Sequence, residues 1–183
     1  MEYASVNCNL HSKMQLTLAY CLKGLMSYIP RQLVPPTESY FLLGPRGVGK
    51  STWLLHNYKD AIRLDFLESE TERKYSSYPE KIRDLVHGLS PGSVVILDEI
   101  QRVPRLLPEI HALIEKKLQI QFIMTGSSTR KLRRAVSDLL GGRALMMQLG
   151  PFLASELQTQ FNFDAALKTG LIPLIFESIH PQS

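Results

Sequence analysis

Cysteine is scarce in this chain. Only Cys8 and Cys21 occur, with no C-x-x-C and no spacing that suits a metal. That argues against a disulfide framework and makes a reducing compartment the default setting. No apolar run is long enough to cross a bilayer. The stretch from Met14 to Ile29 leans apolar, but it is short and Lys23 interrupts it. Its lead, with Glu2, Asn7 and His11, is not the basic start of a secretion signal. The reading is a soluble, cytoplasmic protein with no membrane partner. Internal repeats and low-complexity tracts are also missing. Charge of one sign is in modest excess, +4 at neutral pH. That suits a phosphate-bearing ligand and leaves a nucleic-acid partner unsupported.

What is present is an ordinary globular composition, 44% apolar, in a length that suits one domain and a small appendage. Met14, Leu18, Leu22, Leu25 and Ile29 recur at helical spacing, so residues 1–27 read as an N-terminal helical extension. Pro30, Pro35 and Pro36 then mark an irregular connector. Tyr28, Ile29 and Arg31 on that connector are candidate base contacts for a nucleotide.

The centre of the sequence is Gly44-Pro45-Arg46-Gly47-Val48-Gly49-Lys50-Ser51. It follows an apolar strand, Tyr40 to Leu43, and precedes a helix from about Gly49 to Tyr58 that carries Trp53, Leu54 and Leu55. Strand, glycine-rich turn and helix are the setting of a phosphate-binding loop, and the spacing G-x-x-x-x-G-K-S is met in full. Glycines let the backbone approach an anion, and the loop N–H groups and helix start aim positive partial charge at it. In such a loop Lys50 reaches the β- and γ-phosphates, Ser51 binds Mg²⁺, and Thr52 completes the contact set.

Further along, Ala61 to Phe66 reads as a second strand, with Ile62, Leu64 and Phe66 alternating. The polar run Glu68 to Ser77 reads as a loop, and a helix follows from Pro79 to Leu89. Ser93 to Leu97 is a continuous apolar run, the mark of a strand buried on both faces, and ends in Asp98-Glu99. A helix from Pro104 to Leu118 carries His111, read as structural. Gln121 to Thr125 is a fourth strand, ending in Gly126-Ser127-Ser128. A short basic helix with Arg130, Lys131, Arg133 and Arg134 is expected next, broken by Gly141-Gly142, and Arg143 leads into a fifth strand, Ala144 to Leu149. Helices are expected around Leu153 to Thr159 and Phe163 to Thr169. Strands alternating with helices give an open, mostly parallel α/β sheet, whose ligands sit beyond the carboxyl ends of the strands.

Those strand ends carry the chemistry. Asp98 can hold Mg²⁺, which takes few protein oxygens beside phosphates, and Glu99 can polarise an attacking water. Thr125, Ser127 and Ser128 are candidates to bond a γ-phosphate or orient that water. The basic cluster of 130–134 is a candidate to sense phosphate, to reach into a neighbour's site, or simply to face solvent, and Arg143 to act on a neighbour or to be structural.

Taken together, F-L-L-G-P-R-G-V-G-K-S-T, V-V-I-L-D-E-I-Q, F-I-M-T-G-S-S, L-G-G-R-A and P-F-x-x-x-E-L resemble the prokaryotic AAA-type ATPases over about Tyr28 to Pro173. The resemblance implies the α/β P-loop NTPase fold of the AAA/ASCE type, a three-layer sandwich on a five-stranded sheet, spanning residues 28–160. It implies ATP as ligand with Mg²⁺, Gly44 to Ser51 as Walker A, Asp98-Glu99 as Walker B, Ser127 near the polar sensor and Arg143 as the arginine of the G-R pair. Members continue past Gly170-Leu171-Ile172-Pro173 into a lid, so residues 161–183 read as the start of a lid or a truncated tail. The leading function is a Mg²⁺-dependent ATPase coupling nucleotide state to conformational change, alone or with a homo-oligomeric or other protein partner. The alternatives are a nucleotide-binding switch that does not hydrolyse and a P-loop small-molecule kinase. A GTPase is disfavoured, because no guanine-reading N-K-x-D occurs.

Overall fold

A computed structural model describes residues 28–127 and 144–179. Strand β1 (Tyr40–Leu43) leads through the glycine loop into helix α1 (Lys50–Asn57). Strand β2 (Ile62–Asp65), helices α2 (Ser69–Ser77) and α3 (Lys81–His87), and strand β3 (Val94–Asp98) follow. A 3₁₀ turn at Ile100–Arg102, helix α4 (Leu106–Glu115) and strand β4 (Gln121–Gly126) come next. Strand β5 (Leu145–Gln148) and helices α5 (Ala154–Leu157), α6 (Phe163–Thr169) and α7 (Pro173–Ile179) complete the described chain.

The sheet order is β2-β3-β4-β1-β5, and every pairing is parallel. Alternation along the strands divides their side chains between two cores. Phe41, Leu43, Val95, Leu97, Phe122 and Met124 face α2, α3 and α4 and join Ile82, Val86, Leu106 and Ile110 in one cluster. Tyr40, Leu42, Ile96 and Ile123 face the other way and pack with Val48, Trp53 and Leu54 of the glycine loop and α1. Helices on both faces make the expected three layers, and β1 and the inner strands are buried as their apolar runs require. Among the described residues no helix is long and apolar enough to cross a membrane.

Two elements differ from the sequence reading. The polar run Glu68 to Ser77 is not a loop; Ser69–Ser77 is helix α2. Glu70 and Glu72 complement its N-terminus and Lys74 its last turn. One side chain anchors it: Tyr75 is buried edge-on against Phe66, with ring centroids 6.1 Å apart. The second is α7, where the sequence suggested only a tail. The proposed helix of residues 1–27 and the residues Ser128, Arg130, Lys131, Arg133, Arg134 and Arg143 lie outside the described residues.

Candidate phosphate-binding site

The loop after β1 is anchored at three points. Gly44 passes so close to the end of β5 that a Cβ there would stand 2.2 Å from the Leu149 carbonyl oxygen. Gly49, with φ 84°, turns the chain into α1. Val48 drops its side chain into the Tyr40–Trp53 cluster and pins the loop's middle to the core. Pro45 and Arg46 stay exposed, Thr52 is exposed on α1, and Ser51 is half-buried. Gly44→Ala is expected to lower stability by about 1–3 kcal/mol through overpacking, because the atom it meets is backbone and cannot swing aside. Urea denaturation with an unchanged slope and a lower midpoint would show it.

Lys50 is buried, and its ammonium is held across the loop by the Gly44 carbonyl (2.8 Å) and the Pro45 carbonyl (3.1 Å). Burial pushes its pKa down, while the charges of Glu99 and Asp98 oppose that fall. Asp98 comes to the loop from the end of β3, two strands away. Its Oδ2 accepts the Ser51 hydroxyl at 3.1 Å, and its Oδ1 accepts the Thr125 hydroxyl from β4. Burial alone would raise the Asp98 pKa; the Arg63 charge and the bonds from Thr125, Arg63 and Ser51 outweigh it and hold the carboxyl below its usual range.

Glu99 stands in the left-handed region, φ 60° and ψ 46°. Such a conformation costs an ordinary residue about 1–3 kcal/mol and persists only where its surroundings enforce it. Here they do. Its N–H donates to Thr125 Oγ1 at 3.0 Å, and its carbonyl accepts the Arg102 N–H at 3.0 Å. The Gln101 amide donates to Glu99 Oε2 and reaches the Ser127 hydroxyl at 3.5 Å. Glu99 and Ser127 are thereby brought together, with Gln101 as the link that sequence reasoning did not single out.

Thr125 has a different place from the one expected of it. It is fully buried, and its hydroxyl is committed to Asp98 and the Glu99 N–H, so it braces the Asp98 carboxylate and the Glu99 backbone. Arg31, a candidate base contact, is engaged with protein groups on all its guanidinium nitrogens. Its Nε bonds Glu156 Oε2 at 3.0 Å, its Nη1 the Val48 carbonyl at 2.9 Å, and its Nη2 the Gly150 and Pro151 carbonyls at 2.8 and 3.0 Å. Its guanidinium also lies over the Phe152 ring. The P-F-x-x-x-E-L segment is thus the socket for Arg31: Pro151 supplies a carbonyl, Phe152 a ring and Glu156 a carboxylate. Tyr28 stacks on His56 of α1, with ring centroids 3.9 Å apart, and Ile29 is half-buried.

Two further neighbours of the loop were not read from sequence. Arg63, on β2, pairs with Asp98. The signal was present: Arg63 and Asp65 are the alternate positions to Ile62, Leu64 and Phe66, and the register sets Asp65 beside Asp98. The chain from Leu171 to Leu174 also lies on the loop. Leu174 donates its N–H to the Gly47 carbonyl at 3.3 Å, and a Cβ on Gly47 would stand 3.2 Å from Leu174 Cβ. The Phe152 N–H bonds the Leu171 carbonyl at 2.8 Å and fixes this segment from behind.

A parallel sheet with a phosphate loop after β1 and an acidic pair after β3 defines the P-loop class of nucleotide-binding, ATPase-like domains. A family model described as "AAA domain" matches residues 36–158, and the chain belongs to that family. It is similar to the uncharacterized proteins Rv2008c of Mycobacterium tuberculosis and Mb2031c of Mycobacterium bovis, each 27% identical over 134 residues. Those matches take in 72% of this chain but only 29% of each relative's length. Among solved structures it is similar to the Aeropyrum pernix Orc1 protein in complex with DNA. The TM-score is 0.51 at 17% identity, covering 93% of this chain and 59% of that one, and the likeness shows the fold alone. A Thermotoga maritima RuvB variant gives a TM-score of 0.45 at 19% identity, covering 86% of this chain and 49% of that one.

Proposed function

We propose that the chain binds ATP on the Gly44–Ser51 loop with Mg²⁺ and hydrolyses the γ-phosphate. The observation that carries this is the meeting of Ser51 and Asp98, 3.1 Å apart at the start of α1. A hydroxyl and an ionised carboxylate are the hard oxygen donors Mg²⁺ prefers. Among the described residues no group of three or more acidic, His or Cys side chains could hold a metal by itself. The site therefore fits a metal that arrives with phosphates and completes its shell on them and on water.

When bound, Mg²⁺ supplies charge neutralisation on the phosphate oxygens. The protein's own groups do the rest. The loop N–H groups and the start of α1 cradle the phosphates. Lys50 exchanges the Gly44 and Pro45 carbonyls for phosphate oxygens. Glu99, set beyond Asp98 in its enforced backbone conformation, takes the proton from the attacking water. Gln101 and Ser127 fix the orientation of that carboxylate. Arg143 and the arginines of 130–134 are assigned to phosphate sensing or to a neighbouring copy, which makes a homo-oligomer the partner this reading implies.

A second reading is favoured by one observation, the Arg63 guanidinium resting on Asp98. It is a switch that binds nucleotide and turns it over negligibly. Titration with a fluorescent ATP analogue, followed by steady-state phosphate release, separates the two. Binding with release supports hydrolysis, and binding without release supports the switch. Lys50→Ala is expected to weaken binding at least a hundredfold, about 3 kcal/mol. Unchanged affinity in that variant would remove the phosphate-loop reading altogether.

A further inference from the structure

Asp98 is already neutralised by a cation, and that cation belongs to the chain. Arg63 donates from Nη2 to Asp98 Oδ2, the same oxygen that accepts the Ser51 hydroxyl. The pair is well covered, with side-chain exposures of 17% for Arg63 and 6% for Asp98. A divalent ion between Ser51 and Asp98 would stand within a few ångströms of the guanidinium, in a partly buried place where like charges are poorly screened.

A second carboxylate is at hand. Asp65 lies two residues on from Arg63 along β2, on the same face of the sheet, and is the direct register partner of Asp98. Its Oδ1 accepts the Leu67 N–H at 2.8 Å, which holds the side chain in place at the strand end. A short swing of one long side chain would carry Arg63 from Asp98 to Asp65.

We infer that Arg63 is an internal counter-ion that occupies the Mg²⁺ seat at Asp98, competes with the metal for it, and withdraws toward Asp65 when metal–nucleotide binds. This rests on the reading of Ser51 and Asp98 as the metal-holding pair. Its consequence is a site that holds the metal less tightly than the donor set alone would allow.

The test is metal affinity, read apart from turnover. The full chain is saturated with a non-hydrolysable ATP analogue, and free Mn²⁺ is followed by its electron paramagnetic resonance signal. Arg63→Gln is expected to tighten Mn²⁺ binding roughly tenfold or more, since the competing charge is gone. Arg63→Lys, which keeps the charge, is expected to stay within about threefold of the parent chain. Asp65→Asn removes the alternative partner and is expected to weaken Mn²⁺ severalfold while leaving the Arg63–Asp98 pair intact. Mn²⁺ affinity unchanged or weakened in Arg63→Gln would overturn the inference, as would an unchanged affinity in Asp65→Asn should the Arg63 variant fail to fold. If the parent chain binds the analogue but no variant shifts Mn²⁺, only the counter-ion role fails. If the parent chain binds no analogue, the functional reading fails with it.

Discussion

Glu99→Gln should cut ATP turnover by about 10²–10⁴-fold while leaving nucleotide affinity near that of the parent chain. The substitution keeps size and hydrogen-bonding capacity but removes the basic oxygen. The Thr125 and Arg102 bonds that hold the backbone at φ 60° involve only main-chain atoms of Glu99, so they survive. The Gln101 amide still finds an acceptor in the new side chain. The loss should therefore fall on kcat, with KM and the melting temperature little changed, as expected of a group whose contribution is made in the transition state. A parallel loss of affinity or stability would instead mean that the carboxylate is a structural brace for the strand end. Turnover that survives intact would move the general base elsewhere.

The second large effect is on stability and lies at the other end of the loop. Arg31→Met or Glu156→Leu alone should cost about 3–5 kcal/mol, because each leaves a buried charge without its partner. The side chains of the pair are only 5% and 3% exposed. Glu156 also accepts the Gln32 N–H at 2.8 Å and the Leu153 N–H at 2.9 Å, so its loss strands two backbone donors as well. The double replacement should recover part of that cost, since an apolar pair of similar volume is often as stable as a buried ion pair. Denaturation midpoints of the four proteins, with slopes compared, form the required cycle. Additive losses would show that Arg31 and Glu156 act independently. Nucleotide affinity should fall in the single variants too, since Arg31 Nη1 holds the Val48 carbonyl of the phosphate loop.

The parts of this molecule that were legible in its sequence are those whose cause is local. The glycine loop, the apolar runs of β1 and β3 and the acidic pair after β3 carry their meaning within a few residues. The parallel sheet followed from the alternation of strands with helices, and the pairing is parallel throughout the described strands. What sequence reasoning missed depends on contacts made at long range. Helix α2 looks like a loop because eight of its nine residues are not buried, and only the packing of Tyr75 on Phe66 gives it an inner face. Helix α7 depends on the Gly47 carbonyl and on Phe152, far earlier in the chain. Arg31 resembled a ligand contact because its carboxylate partner stands at position 156. Arg63 carried no mark beyond its place between Ile62 and Leu64. Only the register of β2 on β3 turns it toward the phosphate loop.

The placing of β1 has a consequence for how the chain comes into being. Its four residues are wholly buried, and they pair only with β4 and β5: Tyr40 lies opposite Ile123 on one side and Leu145 on the other. An interior strand of the sheet is thus made early and completed last. At a synthesis rate of about 5–20 residues per second, Tyr-Phe-Leu-Leu waits several seconds on the ribosome before either neighbour exists. No hairpin can shelter it meanwhile, because parallel pairing needs a crossover each time. Folding dominated by such distant pairings is slow, and an unpaired apolar strand is the segment a nascent chain most needs shielded. Expression at lowered temperature or with added chaperone should therefore raise the soluble yield more than any change to the surface of the finished domain.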